Sequence, residues 1–188
     1  QADKFEAEAK LWKNYKTDYK PLVEFARNNG LPFIATNIPR RYASIVSKGG
    51  FEVLDSLSPE AKTYIAPLPV SYDPELKCYK DMLSMPGMPG MGGKPNLNFP
   101  KAQAIKDATM AHFIAANLGE GKKFIHYNGA YHSDNYQGII HYLRIYRPDI
   151  KVATITTVLQ DDISSLAEEN KGVADFIVTV PQTMTRTY

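Results

Sequence analysis

The chain has 188 residues, with 22 Lys and Arg against 20 Asp and Glu for a formal charge of +2, and it is 44% hydrophobic and 11% aromatic. That suffices for one domain with a real core, while the near-balance of charge, with no basic run interleaved with aromatics, gives no electrostatic case for nucleic acid. No apolar run reaches the roughly 18 to 20 residues that span a bilayer, and the single Cys78 permits no internal disulfide.

The opening residues Gln1-Ala-Asp-Lys-Phe-Glu6 are not a signal peptide and read as the middle of a helix, so residues upstream are expected. Phe5, Ala9, Leu11, Trp12, Tyr15 and Tyr19 fall near a helical period. Pro21 suits the first turn of a second helix, which Gly30 ends. Phe33 to Asn37 predicts the first strand, and Arg40 to Lys48 a short helix stopped by Gly49-Gly50. Ser58-Pro59-Glu60 has the form of an N-cap followed by proline at the first helical position. A further helix is predicted over Asp73 to Leu83, and the Pro- and Gly-rich run from Met85 to Gly93 that follows can continue neither helix nor strand, so a mobile loop is expected.

Ala102 to Leu118 is the clearest helix, with Gly119 at its end. The remainder alternates: strand Phe124 to Asn128, helix Asn135 to Tyr146, strand Val152 to Val158, helix Ile163 to Asn170, strand Phe176 to Val180. Strands separated by helices of this length imply right-handed crossovers. The expected fold is α/β: a mostly parallel sheet flanked by helices, in one domain over residues 1–188, with a helical, Met-rich lid inserted at about 66–98.

Four stretches can carry chemistry. Gly129-Ala-Tyr131-His132 turns off a predicted strand end, where open α/β sheets bind ligands; there His132 can project into a crevice while Asp134 or Asn128 orients its ring, although a turn with a capping histidine explains the spacing equally well. His126, inside the strand, is expected as a hydrogen-bonded core histidine. Asn37-Ile-Pro-Arg40 ends another strand, and Arg40 can grip a carboxylate by two parallel hydrogen bonds, or can form a structural ion pair with an acid such as Asp107. Lys106-Asp107-Ala-Thr places an acid among small residues on the long helix; His112, five residues on, faces another side and is expected on the surface. Met82, Met85, Met88 and Met91 recur every third residue, which in a polyproline II segment lines thioethers along one edge, suited to Cu(I) or a flat apolar ligand; the alternative is a deformable apolar lid.

Taken together, Trp12…Asp18-Tyr19-Lys-Pro-Leu…Phe25-Ala26, Asn37-Ile-Pro-Arg40, Ala102-Gln103…Lys106-Asp107-Ala-Thr-Met-Ala111 and His126-Tyr-Asn-Gly-Ala-Tyr-His132-Ser-Asp134…Gly138 resemble, in order and over nearly the whole chain, the ChaN family of haem-binding uptake lipoproteins within the Tiki/TraB/erythromycin-esterase-like superfamily. The resemblance implies an α/β fold with a lid, a bacterial envelope location in the periplasm or on the outer membrane through a lipid anchor, and haem held across a homodimer. It further implies a tyrosine ligand to iron, with histidine help at the propionates. Tyr79, Tyr131 and Tyr42 are the candidates, and Tyr79 is chosen for its place beside the lid. Gly129-Ala-Tyr-His132 matches the second Gly-x-x-His signature of the superfamily. The first, Gly-Glu-x-His, is not present, so either the first strands lie upstream or the pocket is half built, with a sheet edge left open or completed by another chain.

The site expected on this basis comprises His132, Tyr131, Tyr79, Arg40, Asn37, Asp107 and Asn128, with His132, Tyr79, Met85 and Met88 as metal donors. Two other classes stay open: a hydrolase using a divalent metal, with His132 as one ligand, and a Cu(I)-binding module on the methionine loop.

Overall fold

The computed structural model describes residues 2–84 and 96–187. They form two compact units, Gln1–Ala35 with Pro181–Tyr188, and Thr36–Val180. In the first unit, helix α1 (Ala2–Glu8) is followed by a π-helical turn (Tyr15–Tyr19) that runs directly into α2 (Lys20–Asn28). The period expected to run from Phe5 to Tyr19 is therefore interrupted. Asn14 explains the restart, because its amide donates to Asp18 at 2.6 Å and its carbonyl accepts from Thr17 Oγ1 at 3.0 Å, a local alternative to continuous helix. Pro21 lies in the first turn of α2, and Gly30 turns the chain away with φ of 64°.

The second unit is organised around a long helix. Its elements are α3 (Arg40–Gly49), α4 (Pro59–Lys62), α5 (Lys77–Met82), α6 (Asn98–Asn117), α7 (Ile139–Tyr146) and strands β1 (Ile155–Gln160) and β2 (Phe176–Pro181). Helix α6 packs against α3, α5 and α7. Ala104, Ile105, Ala108, Thr109 and Ala111 are all fully buried, so α6 is covered on most of its circumference rather than along one stripe. Its small side chains let neighbouring backbones come close: Thr109 Oγ1 accepts a hydrogen bond from the Ala66 amide at 3.1 Å. The expected cap at Ser58 is present, its hydroxyl accepting from the Ala61 amide at 3.2 Å.

β1 and β2 form a two-stranded parallel sheet, so the fold is α/β. Asp175 clamps the entry to this pair, its Oδ2 accepting from the Thr154 amide at 2.6 Å and from Thr154 Oγ1 at 2.9 Å. The strands expected at 33–37 and 124–128 do not form: both segments lack regular secondary structure and join no ladder among the described residues. They meet through side chains instead, where Thr36 Oγ1 lies 2.8 Å from His126 Nε2.

Three further expectations change. No α-helix forms over Ile163 to Asn170; only Glu168–Asn170 makes a 3₁₀ turn. The buried Gln160 side chain takes over the polar groups of this stretch, donating to the carbonyls of Ser165 at 2.6 Å and of Asp162, and accepting from the Ala167 amide at 3.3 Å. The helix expected from Asn135 begins only at Ile139, because Asn135, Tyr136 and Gly138 all have positive φ. His112 is half-buried rather than exposed, its ring 6.2 Å from that of Tyr146.

In the proposed lid region, residues 66–84 are fixed to the core: Ala66, Tyr79 and Met82 are buried, and Tyr142 Oη donates to the Ser71 carbonyl at 2.7 Å. Burial of Met82 removes it from the expected edge of thioethers. Met85, Met88 and Met91, with the mobility expected of their loop, lie outside the described residues.

Gly138 is closed in by backbone rather than by a flexible side chain. A Cβ there would sit 2.4 Å from the His132 carbonyl oxygen and 3.2 Å from Asp107 Oδ2, at a φ of 54°. Gly138→Ala should therefore cost more than about 2 kcal/mol in urea unfolding, from combined strain and clash. Gly121→Ala, at a φ of 65° with nothing within 4 Å, should cost only about 1 kcal/mol. Equal losses at the two positions would show that backbone conformation alone, and not the approach of His132, sets the requirement at 138.

Candidate functional site

Asp107 is the centre of the site. It lies midway along α6, its side chain is 3% exposed, and both of its oxygens are engaged. Oδ1 accepts from His132 Nδ1 at 2.5 Å, and Oδ2 accepts from Tyr79 Oη at 2.7 Å. Three elements distant in sequence, α5, α6 and the 3₁₀ turn Ala130–His132, thus converge on one carboxylate. Burial raises the Asp107 pKa above the ordinary carboxylate value, opposed by its bonds to His132 and Tyr79 and by the charge of Lys106.

The bond to Asp107 fixes His132. With Nδ1 donating to the carboxylate, Nε2 is left without a hydrogen-bond partner among the described residues, and the side chain retains 23% of its accessibility. This is the carboxylate–imidazole arrangement that fixes the tautomer and ring orientation of a histidine donor. The expectation that Asn128 or Asp134 would orient His132 is corrected. Asn128 serves the turn: its Oδ1 accepts from His126 Nδ1 at 3.0 Å, and its amide donates to the Gly129 carbonyl at 2.9 Å and to Ser133 Oγ at 3.0 Å. The buried Oδ1 of Asp134 has no hydrogen-bond partner among the described residues.

His126 is hydrogen-bonded as expected, but it is half-buried rather than in the core and lies in no strand. Since Nδ1 donates to Asn128, Nε2 accepts from the Thr36 hydroxyl, which is the neutral tautomer. Burial, with a smaller contribution from His132, lowers its pKa below the usual histidine value.

Tyr79 is not an accessible phenol. It is 1% exposed, and burial together with the adjacent Asp107 charge drives its pKa far upward, so the hydroxyl keeps its proton and donates. A tyrosine ligand to iron must be deprotonated, so the ligand role expected of Tyr79 gives way to that of a brace beneath Asp107. Tyr42 is also buried, beneath the Arg41 guanidinium at 4.8 Å. Tyr131 remains 40% exposed, its hydroxyl donating to the Cys78 carbonyl at 2.7 Å. Gln137 Oε1 accepts from the Cys78 amide at 2.6 Å, so α5 is tied at its start to the same turn. Burial pushes the Cys78 thiol up to about 11, which leaves it protonated at neutral pH.

Arg40 opens α3 and is exposed, as is Asn37. The alternative of an Arg40–Asp107 ion pair is not what forms, because Asp107 is committed to His132 and Tyr79. Among the described residues no group of three or more His, Cys, Asp or Glu side chains is placed to hold a metal ion. Nor is any described helix long and apolar enough to cross a membrane. A small cavity of about 280 Å³ lies elsewhere, between α7 and the 147–152 segment that follows it, beside Leu143, Arg147 and Val152. Reasoning from the sequence missed the bracing by Tyr79 and the tie from Gln137; Asp107 among small residues was the one legible signal.

The family described as haem-binding uptake, Tiki superfamily, ChaN, matches residues 1–143, which include Thr36, Tyr79, Asp107 and His132. The chain belongs to this family. No curated relative and no solved structure matches it. The match ends within α7, ahead of β1 and β2.

Two outcomes test the hydrogen bonding. Tyr79→Phe removes the donor while leaving Asp107 Oδ2 buried, so unfolding free energy should fall by about 1–3 kcal/mol; an unchanged value would mean that the hydroxyl does not support Asp107. For His126, a folded pKa below the unfolded value of about 6.5 means that the native state binds fewer protons. Stability is then fully present above pH ~6.5 and falls as the pH drops through the range between the two pKa values. In His126→Gln that part of the acid dependence of the melting temperature should disappear.

Proposed function

We propose that this chain binds haem on the open rim around His132 and serves haem or iron uptake at the bacterial cell envelope. The observation that carries this reading is the partly exposed His132 ring, held at Nδ1 by a buried carboxylate and with its Nε2 unengaged among the described residues. An imidazole so braced fits an iron porphyrin as a nitrogen donor. Bound haem supplies an iron centre that accepts such a donor and two propionates that accept cations. His132 would hold the iron side, Tyr131 offers an exposed aromatic face next to it, and Arg40 stands ready for a carboxylate. Asp107, Tyr79 and Asn128 support from beneath, and the exposed Asn37 lies three residues ahead of Arg40. The family description supports haem as the ligand. In the same proposal the protein works in the periplasm or on the outer membrane through a lipid anchor, and a second copy can cover the exposed face of the haem.

Titration with ferric haem, followed by the Soret band, tests this. Saturable binding well above that of a control protein with no haem site is expected. His132→Ala should weaken it by about 1–3 kcal/mol, the worth of a charge-assisted contact. Wild-type binding no tighter than the control would end the proposal.

A further inference from the structure

The cavity of about 280 Å³ beside α7 combines apolar walls with one uncommitted charge. Ile140 and Leu143 from α7, and Ile150 from the segment after it, supply apolar lining. Among the charged groups that line it, two are already matched. Arg147 donates to both oxygens of Asp149, at 2.9 and 2.8 Å. Asp175 accepts from the Thr154 amide and hydroxyl and, at 3.1 Å, from Tyr136 Oη, so three donors share its charge. Arg144 is different. It forms no ion pair among the described residues, and its guanidinium instead lies over the Tyr136 ring, 5.9 Å from the centroid.

Tyr136 reaches this position through strained backbone. Its φ is 59° and that of Asn135 is 57°, a region that a bulky L residue enters only when its surroundings hold it there. They do so here from two sides: the Asn135 amide donates to the Val173 carbonyl at 2.8 Å, and Tyr136 Oη is bound to Asp175. What the strained turn delivers is an aromatic wall that backs the Arg144 guanidinium at the cavity. A planar cation so backed, beside apolar lining, matches an acid with an apolar body. At the ~30 Å³ that a water molecule takes in the liquid, the cavity holds about nine or ten non-hydrogen atoms. We propose that it binds a small monocarboxylic acid, with a short acyl chain or a single ring packed against Ile140, Leu143 and Ile150 and its carboxylate gripped by Arg144. Most of the lining lies beyond residue 143, where the family match ends, and none of it belongs to the His132 site. The acid site is therefore independent of the haem reading.

The test titrates the full chain at neutral pH with phenylacetate and hexanoate, with the uncharged phenylacetamide, and with the cationic phenethylamine, followed by backbone-amide NMR. At least one acid should give saturable shifts centred on the cavity-lining residues from 136 to 152 and on 175, with Kd of about 1–10 mM, as expected of a ligand this small. The amide and the amine should bind at least about 3-fold more weakly, since each lacks the negative charge. Arg144 is exposed, so Arg144→Met should leave the melting temperature unchanged while weakening the acid about 3- to 10-fold and the amide not at all. No saturation by either acid, shifts centred elsewhere, or equal losses for acid and amide in Arg144→Met overturns the proposal. The same holds if the amide binds as tightly as the acids, or if the amine binds more tightly, which would give the charge preference to Asp175. These ligand comparisons are made in wild type, so they decide the matter whatever the substitution does to folding.

Discussion

The second unit depends on one buried carboxylate. Asp107 is the kind of group a core excludes unless its oxygens are satisfied, because an isolated charge in apolar surroundings costs far more than a hydrogen bond returns. Here the satisfaction comes from a turn and a helix that are otherwise unrelated, through His132 and Tyr79. The requirement works in both directions. Asp107 holds His132 in one orientation, and the need to satisfy Asp107 pins α5 and the 130–132 turn onto α6.

The surrounding sequence makes that convergence feasible. Ala104, Ala108 and Ala111 keep the surface of α6 low, and Gly138 passes where any side chain would strike the His132 carbonyl. Tyr131 and Gln137 then bind the two backbone groups of Cys78, so that α5 is held to the turn independently of Tyr79. A polar centre with every member bonded and supported by a second set of ties has few alternative arrangements, which is the condition for a side chain to keep a fixed direction at a surface.

Much of this was legible in the sequence where local rules decide. The long helix over 102–118, the cap at Ser58 and the stop at Gly49-Gly50 follow from periodicity and capping chemistry, and all three are present. The Gly129–His132 turn was legible as a place for chemistry, but its orienting partner was not. Asp107 is 25 residues away from His132, and nothing in local spacing distinguishes it from Asn128 or Asp134 nearby. The misread helix at Ile163 to Asn170 has the same origin. Apolar spacing there suggests a helix, but a single long-range competitor, the buried Gln160 amide, captures the backbone groups a helix needs. The strands expected at 33–37 and 124–128 were misread, because ladder pairing depends on a neighbour that local sequence does not specify.

The same contrast bears on the kind of site this is. Catalytic and tightly retaining sites are usually concave, with most of the ligand surface buried and a few polar groups converging from several walls. Around His132 the polar groups converge from beneath, while the His132 ring is partly accessible and Tyr131, in the same turn, is exposed. A ligand held at such a site has its orientation set by the donor, while its outer face stays open to water or to another macromolecule. Related complexes differ in affinity mainly through dissociation rate, and a rim contact leaves that rate high and open to a competing partner. For the haem carrier proposed here, that is the useful property: the braced imidazole gives specificity of approach, and the open face gives a route for transfer.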